Sequence, residues 1–335
     1  MFPPDRNVAR MDPVQTLAIP SLAGDLARVE DSLHEAVSTP DRFLAEVASH
    51  LIGAGGKRIR PTLTLCAAYA ASGGDGPAAA DAVTGAVAIE LVHQGSLYHD
   101  DVIDEAETRR GVPSVNARWS NIVAILAGDF LLARASALAA RLGGEVAEIL
   151  ASTIAELCRG QVLELQHLFD VDRSEEGYCS AIEGKTASLF GTSCRVGGMV
   201  CGVGEPTLDA LTRYGFHLGM CFQIVDDVLD ITASDAKLGK PAGQDLVEGV
   251  YTLPVIHAIA TTPALRERLG HPLDSEQLAE VRRLAVSDGA IDAALGMARD
   301  HAGKAGGALD GAEDLAPDVC AALTRLVDGL VTRDS

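Results

Sequence analysis

Apolar residues recur along this chain at steps of three and four, the spacing of one face of an α-helix. Leu26, Val29, Leu33 and Val37 form one such series, and the segment from Val83 to Leu97 contains another. Almost no segment alternates apolar and polar residues as a half-buried strand does. The pattern therefore predicts an all-α protein whose helices run for about 12 to 30 residues.

Short clusters of glycine, proline and aspartate separate the predicted helices, for example at residues 53–56. Residues 1–20 contain four prolines and mixed polarity, so we expect a loose or docked N-terminal tail there. No linker divides residues 21–335 into two cores, which predicts one helical-bundle domain. The polar stretch 234–248 is the longest break, and such loops often carry function.

Composition narrows the class of protein. The chain has 335 residues, 47% of them apolar, and its 27 basic against 47 acidic residues give a net charge of −20. This charge argues against binding to nucleic acid or to an anionic membrane. We find no apolar run of about 18 residues that could span a bilayer, and no signal peptide. Seven cysteines without a Cys-x-x-Cys pair indicate reduced thiols in a cytoplasmic protein.

Two predicted helices carry the sequence Asp-Asp-x-x-Asp between apolar residues. The six aspartates are Asp100, Asp101, Asp104, Asp226, Asp227 and Asp230. Residues i and i+4 of a helix are offset by about 40° and one turn, so the first and last aspartates of each motif share a face. Carboxylates this close repel one another unless a cation lies between them.

These acidic pairs have the chemistry of a magnesium site. Mg²⁺ prefers oxygen ligands, keeps several waters and bridges carboxylates to a substrate phosphate. A solvated acidic face is the alternative interpretation, which two copies with apolar flanks disfavour. A helix–loop–helix Ca²⁺ site needs a glycine-containing loop of about 12 residues, and a zinc site needs Cys and His at short spacing. Neither pattern occurs in the chain.

Basic residues at a few positions complete a candidate phosphate site. Lys57 and Arg60 lie three apart at a predicted helix start, a geometry that suits an oxygen-rich anion. The others are Arg109, Arg110, Lys185 beside Thr186, and Lys240 in the polar loop. His93 lies two turns before the first motif on the same stripe, and we interpret the adjacent His99 as structural.

The combined motifs resemble the trans-isoprenyl diphosphate synthases, or polyprenyl synthetases, over residues 30–335. The shared segments are the two aspartate motifs, Gly-Gly-Lys57-Arg-Ile-Arg60-Pro, Arg109-Arg110-Gly, Lys185-Thr186, Phe222-Gln223 and Gly239-Lys240, in the same order. The resemblance implies a single-domain helical bundle around a deep central cavity, usually a homodimer. It also implies isopentenyl diphosphate and an allylic diphosphate, farnesyl or geranylgeranyl, as substrates.

Roles carry over from the resemblance position by position. It implies that Asp100 and Asp104 bind two Mg²⁺ ions and that Asp226 binds a third, with Asp227 and Asp230 in support. Arg109, Lys185 and Lys240 would contact the allylic diphosphate. Lys57, Arg60, His93 and Arg110 would hold isopentenyl diphosphate. Gln223 and Thr186 would face the reacting carbons.

The implied reaction is ionisation of the allylic diphosphate, condensation with isopentenyl diphosphate and loss of a proton to the departed diphosphate. No protein base is then required, which agrees with the absence of a catalytic triad. One position departs from the family pattern: many relatives have a second lysine after the loop, where this chain has Val250. Val250 cannot hold a phosphate, so one allylic contact is in doubt.

Product length should depend on the residues one helical turn below the first motif. These are Gly95 and Ser96, whereas short-chain relatives have a bulky aromatic floor at one of these positions. Tyr98 projects to another side. The growing chain would run from the motif down between the helices, and no bulky residue blocks this tunnel about one turn below the motif. This favours a medium- or long-chain product of about six to ten isoprene units. We expect Gly95→Phe to shorten the product, unless Gly95 serves only helix packing.

Three alternatives stay open at this point. A geranylgeranyl or farnesyl diphosphate synthase would need a floor from a later helix. A class I terpene cyclase shares the first acidic motif, but the second motif argues against it. The chain could also be a partner subunit of a two-component synthase, either non-catalytic or active only with its partner.

Overall fold

The computed structural model describes residues 13–74, 76–232, 242–286 and 289–332. The N-terminal half contains α1 Pro13–Leu17, α2 Leu22–Ala36, α3 Arg42–Gly53, α4 Ile59–Ala71, α5 Ala80–Ile103, β1 Thr108–Arg109, β2 Val112–Pro113, α6 Val115–Arg118, α7 Asn121–Leu142 and α8 Gly144–Gln166. The C-terminal half contains α9 Glu175–Ile182, α10 Ser188–Met199, α11 Glu205–Thr232, α12 Gln244–Glu248, α13 Leu253–Thr261, α14 Pro263–Arg266, α15 Ser275–Ala285, α16 Ala290–Ala308 and α17 Pro317–Val331. The predicted all-α class is confirmed.

Helix α5 is the centre of the bundle and carries the first aspartate motif at its C-terminal end. It packs mainly on α7 and also against α4, α2 and α10. Close approach of these helices depends on small residues. A Cβ on Gly197 of α10 would lie 2.2 Å from the carbonyl oxygen of Thr64 in α4. Helices α10 and α11 pack in the same way, with Gly215 of α11 against the Phe190 carbonyl.

A short hairpin after α5 was not expected from the sequence pattern. Strands β1 and β2 pair antiparallel, with Arg109 opposite Val112. The two residues between them, Arg110 and Gly111, have φ of 53° and 77°. Positive φ at both central positions is the signature of a type I′ turn, which matches the twist of a two-residue hairpin. The hairpin sets the direction of both arginines.

The connection between α9 and α10 is a π-helical turn, Glu183–Ala187. Such turns contain one more residue than the α-helix and often occur at functional sites. The turn lies against α8, where a Cβ on Gly160 would come within 2.2 Å of the Lys185 amide nitrogen. Only glycine allows this contact, so the sequence of α8 fixes where the turn lies.

Helix α7 bears on the expectation that no segment spans a membrane. By length and composition it qualifies as a membrane span, with a mean hydropathy of 1.8 over 18 residues, although we predicted no such segment. Asp129 and Arg134 interrupt its apolar run, so a search for uninterrupted apolar residues misses it. Only 33% of the window is buried within the chain. Part of the predicted tail is docked, because Leu17 of α1 is 1% exposed.

Candidate active site

The first aspartate motif lies where α5 ends. Asp104 is the residue that follows the helix, and its amide donates to the Asp100 carbonyl oxygen at 2.8 Å. Burial and the neighbouring Asp104 carboxylate outweigh the opposing effect of Lys185 and raise the pKa of Asp100 to about 6. Burial also raises the pKa of Asp104. The two carboxylates therefore lie close enough to repel each other, as the i, i+4 spacing predicts.

Asp101 turns to the other side of the helix and is fully buried. Its Oδ1 accepts a hydrogen bond from Arg109 Nε at 2.7 Å and forms an ion pair with Arg109 Nη2 at 2.6 Å. Arg109, which the sequence assigns to the allylic diphosphate, is thus oriented by the middle aspartate of the motif. Both guanidinium nitrogens approach the same carboxylate oxygen, so Arg109 is held by one charge-assisted hydrogen bond and an ion pair.

Lys185 lies between the two acidic motifs in the π-helical turn. Its ammonium group forms an ion pair with Glu164 of α8, which sequence reasoning missed. Burial lowers the pKa of Lys185, but Glu164, Asp100 and Asp104 outweigh burial and raise it, so the lysine stays charged. Glu164 follows Gly160 by one helical turn, and the pairing depends on the close contact that this glycine permits.

The second motif has one exposed and two buried aspartates. Asp226 is exposed, whereas Asp227 and Asp230 are 3% exposed. Burial raises the pKa of Asp227, and hydrogen bonds from Tyr178 and Gln223 oppose this rise. Asp230 Oδ2 accepts from the Asp245 amide at 3.4 Å, which ties the motif to α12.

A chain of hydrogen bonds connects the second motif to the π-helical turn. The Tyr178 hydroxyl donates to Asp227 Oδ2 at 2.6 Å, and Gln223 Nε2 donates to Asp227 Oδ1 at 2.8 Å. The Thr186 hydroxyl in turn donates to Gln223 Oε1 at 2.8 Å. Thr186 and Gln223 were predicted together, but Tyr178 was missed, because nothing in the local pattern distinguishes it from a core tyrosine.

One glutamate, Glu164, lies near both aspartate motifs. Glu164 raises the pKa of Asp100 and of Asp104, and it also raises the pKa of Asp227. A charge acts this way only over a short distance, because screening removes longer interactions. Both aspartate motifs therefore lie in the neighbourhood of the Glu164–Lys185 pair.

A separate cluster of cations lies beside the first motif. Burial and the neighbouring Arg110 outweigh the opposing effect of Glu90 and lower the pKa of Arg60 to about 10. Burial also lowers the pKa of His93, with added effects of Arg60 and Arg110, so its imidazole is neutral. Arg60 Cζ lies 4.8 Å from the centre of the Phe190 ring, while Lys57 is exposed. Arg60, His93 and Arg110 are therefore brought together as a basic surface, with Lys57 three residues from Arg60 in the chain.

Buried polar groups hold this basic surface in shape. Arg58 has φ of 46° and is 7% exposed, and its Nη1 donates to Glu90 at 2.9 Å. Gln94 donates to the same glutamate oxygen at 2.6 Å. Arg110 donates to the carbonyl oxygen of Leu51 at 3.1 Å. Sequence reasoning left Arg58 and Glu90 without a role, since their partnership spans 32 residues.

The donor set suits a divalent ion that substrate helps to hold. Among the described residues, no three His, Cys, Asp or Glu side chains are grouped closely enough to bind a metal by themselves. Asp100 and Asp104 offer hard oxygen ligands whose repulsion a divalent ion would relieve. Mg²⁺ normally takes one or two carboxylates and fills the remaining positions with water and phosphate oxygens. The residues therefore fit such an ion.

The two chain-length candidates differ in their surroundings. A Cβ on Gly95 would lie 3.1 Å from the Gly128 carbonyl oxygen and 3.2 Å from Leu132, so Gly95 is occupied by packing against α7. Our expectation that Gly95→Phe fills a tunnel is therefore wrong in its mechanism, since the ring would first displace α7. Ser96 is only partly buried and stays the candidate. Tyr98 points away, donating to the Val47 carbonyl oxygen at 2.7 Å.

Two further predictions concern the polar loop. Lys240 lies outside the described residues. Val250 is partly buried, and its amide donates to the Asp245 carbonyl oxygen at 2.8 Å. His99, which we interpreted as structural, contacts α7: its Nε2 lies 3.2 Å from the Ile125 carbonyl oxygen.

Comparison with known proteins agrees with this geometry. The family model described as "Polyprenyl synthetase" matches residues 41–286. The chain belongs to the polyprenyl synthetase family. This family joins isopentenyl diphosphate to allylic diphosphates, so the predicted prenyltransferase class is confirmed.

Three similar proteins illustrate the match. The nonaprenyl diphosphate synthase of Mycobacterium tuberculosis is 41% identical over 341 residues, covering 99% of each chain. Component 2 of the heptaprenyl diphosphate synthase of Geobacillus stearothermophilus is 41% identical over 82% of this chain and 89% of its own. A polyprenyl synthase of Caulobacter crescentus, crystallised with calcium and isoprenyl diphosphate, superimposes with a TM-score of 0.88 at 34% identity over 97% of this chain and 100% of its own.

These relatives confirm the medium- or long-chain type that the small residues below the first motif predict. The calcium in the Caulobacter crystal agrees with a family that depends on divalent metal ions.

Proposed function

We propose that this protein extends farnesyl or geranylgeranyl diphosphate with isopentenyl diphosphate units to an all-trans polyprenyl diphosphate of quinone side-chain length. The observation that carries the proposal is the Glu164–Lys185 pair, whose charges act on both acidic motifs. Two acidic motifs that bind metal ions, together with the positive charge of Lys185, would stabilise a diphosphate. The negative charge on that diphosphate grows as it leaves.

Asp100 and Asp104 would hold two Mg²⁺ ions, and Asp226 with Asp230 would hold a third. Bound Mg²⁺ neutralises charge on the departing diphosphate. Lys185 and Arg109 would contact the same diphosphate, as the family resemblance also implies for Lys240, while Asp101 and Asp227 orient neighbouring groups. This assignment is supported by the raised pKa of Asp100, which a divalent ion would lower again.

Arg60, Arg110, His93 and Lys57 would hold the diphosphate of isopentenyl diphosphate. Neutral His93 can donate one hydrogen bond without adding a charge to the arginines. The basic surface lies next to the first motif, since Asp100 acts on the pKa of Arg60. The double bond of isopentenyl diphosphate would therefore lie near the allylic carbon. Two reactants held in this orientation react as in a unimolecular step, which lowers the activation barrier.

The reaction then needs no protein base. The allylic C–O bond breaks and the diphosphate leaves with the electron pair. The isopentenyl double bond forms the new C–C bond with the allylic cation, and a proton passes to the released diphosphate. The oxygen atoms of Gln223 and Thr186, held together by their 2.8 Å hydrogen bond, stabilise the cation.

The decisive experiment is mass analysis of the product formed from farnesyl and isopentenyl diphosphates with Mg²⁺. We expect one main product of at least six isoprene units, no product with EDTA, and loss of turnover in Asp100→Ala. A product that stops at geranylgeranyl diphosphate would establish the short-chain alternative.

A homodimer is supported by apolar side chains that α7 and α8 leave exposed. Ile122 is 70% exposed, Leu126 61% and Val162 51%. Exposed apolar groups in one patch are typical of a subunit interface. We expect light scattering to give twice the chain mass, and Leu126→Glu to give monomers.

The alternative is a catalytic subunit that needs a second chain, as the name of the Geobacillus relative indicates for that protein. A purified chain that is inactive alone and active with a second gene product would favour it. We further propose that residues 21–335 act as one catalytic domain, with residues 1–20 as a tail, in the cytoplasm.

A further inference from the structure

Arg173 is a buried cation that the assigned roles do not use. It is 4% exposed, and its Nε and Nη2 have no hydrogen-bond partner within the part of the chain described. Only Nη1 is engaged, donating to the Tyr251 carbonyl oxygen at 3.1 Å. A buried guanidinium with two unsatisfied donors is costly, because each donor has lost its hydrogen bonds to water. Such a group is expected to have an anionic partner.

The position of Arg173 points to the second aspartate motif. Its Cζ lies 5.6 Å from the centre of the Tyr178 ring, and the Tyr178 hydroxyl donates to Asp227. Burial lowers the pKa of Arg173, while Glu164 and Asp227 raise it. Arg173 therefore lies near Asp227 of the second motif and near Glu164, the ion-pair partner of Lys185.

The segment that carries Arg173 packs along the chain around Val250. The Phe169 amide donates to the Gly249 carbonyl oxygen at 2.8 Å, and Arg173 donates to the Tyr251 carbonyl oxygen. These two hydrogen bonds lie on either side of Val250. The Arg173 side chain thus lies beside the segment that carries the apolar Val250.

We propose that Arg173 contacts the diphosphate of the allylic substrate and supplies the positive charge that Val250 does not. The proposal rests on the proposed function for the identity of the substrate. A planar guanidinium with Nε and one Nη available can bind two phosphate oxygens at once, which a lysine cannot do.

The test compares Arg173→Leu with the double variant Arg173→Leu/Val250→Lys. The single variant should raise the KM for farnesyl diphosphate about tenfold and leave the KM for isopentenyl diphosphate unchanged, as expected for one lost charge-assisted contact. The added lysine should recover most of this loss. A matched control is Arg266→Leu, because Arg266 holds the same segment through the Val171 carbonyl oxygen but lies on the exposed surface.

Isothermal titration of a non-hydrolysable farnesyl thiodiphosphate with Mg²⁺ provides a binding readout without turnover. Arg173→Leu should weaken this binding about tenfold. Unchanged binding, or an equal rise of both KM values with no recovery by the added lysine, would overturn the proposal and leave Arg173 a packing residue.

Two further arms keep the test decisive. If Arg173→Leu does not fold, the single variant Val250→Lys replaces it in the titration. It should tighten thiodiphosphate binding at least threefold, since it adds a second cation at the same diphosphate. Unchanged binding would contradict the proposal. If the unmodified protein forms no prenyl product, the proposed function fails on that result alone, while the titration still reports on Arg173.

Discussion

Replacing Asp100 by asparagine should make the metal-free protein more stable at neutral pH, although it removes a metal ligand. Burial raises the pKa of this carboxyl from 3.8 to about 6. The unfolded chain loses the Asp100 proton near pH 3.8, whereas the folded chain keeps it to about pH 6. The free energy of unfolding therefore falls as the pH rises between these values.

The size of the effect follows from the pKa difference. Each pKa unit corresponds to about 1.4 kcal/mol, so two units give about 3 kcal/mol. The carboxylate is partly exposed, and solvent screening reduces this to about 2 kcal/mol. Asparagine has the same shape and no charge, so the variant should match the natural protein near pH 4 and exceed it by about 2 kcal/mol above pH 7.

Urea unfolding in EDTA at pH 4 to 8, with fixed protein concentration, measures this difference. Groups that titrate in both proteins cancel in the comparison. Asp129→Asn on α7 is the control for removing one carboxylate, because that side chain is 63% exposed. With Mg²⁺ and pyrophosphate at about 100 times their Kd, binding adds about 2.7 kcal/mol to the natural protein and reverses the order. If the free energies of unfolding of the natural protein and of Asp100→Asn change in parallel with pH, the reasoning is refuted.

Three further predictions follow from individual contacts. Tyr178→Phe should lower kcat/KM about tenfold or more, because the buried Asp227 carboxylate loses a hydrogen-bond donor. The control is Tyr214→Phe, which loses only a hydrogen bond to a backbone carbonyl oxygen. It should lower the melting temperature and leave kcat/KM unchanged. Ser96→Phe should shorten the product in mass analysis if that position lines the growing chain. Gly160→Ala should cost about 3 kcal/mol or more in urea unfolding, because its Cβ would collide with the Lys185 amide.

The sequence predicted what local spacing controls. The aspartate pairs follow from i, i+4 geometry on apolar helices, and both motifs lie near Glu164. Lys185, Thr186 and Gln223 were predicted from the family resemblance, and the hydrogen bond between Thr186 and Gln223 agrees with a shared role.

What sequence reasoning missed depends on contacts between distant segments. Glu164 is 21 residues from its partner Lys185, and Tyr178 is 49 residues from Asp227. No periodic pattern marks such pairs. The expectation that a side chain at Gly95 would enter the tunnel failed for the same reason. A glycine one turn below a motif looks the same in the sequence whether it lines a tunnel or contacts another helix. Only the position of α7 distinguishes the two.

The π-helical turn makes the enzyme intolerant of single-residue deletions over a short stretch. Removing one residue within Glu183–Ala187 would let α9 and α10 merge into a regular helix. The merged helix would rotate everything on one side by about 100°, so that either Tyr178 or Lys185 would leave the cavity. A deletion scan should therefore find that each single-residue deletion in this five-residue window abolishes activity, although each shortened chain still forms a continuous helix.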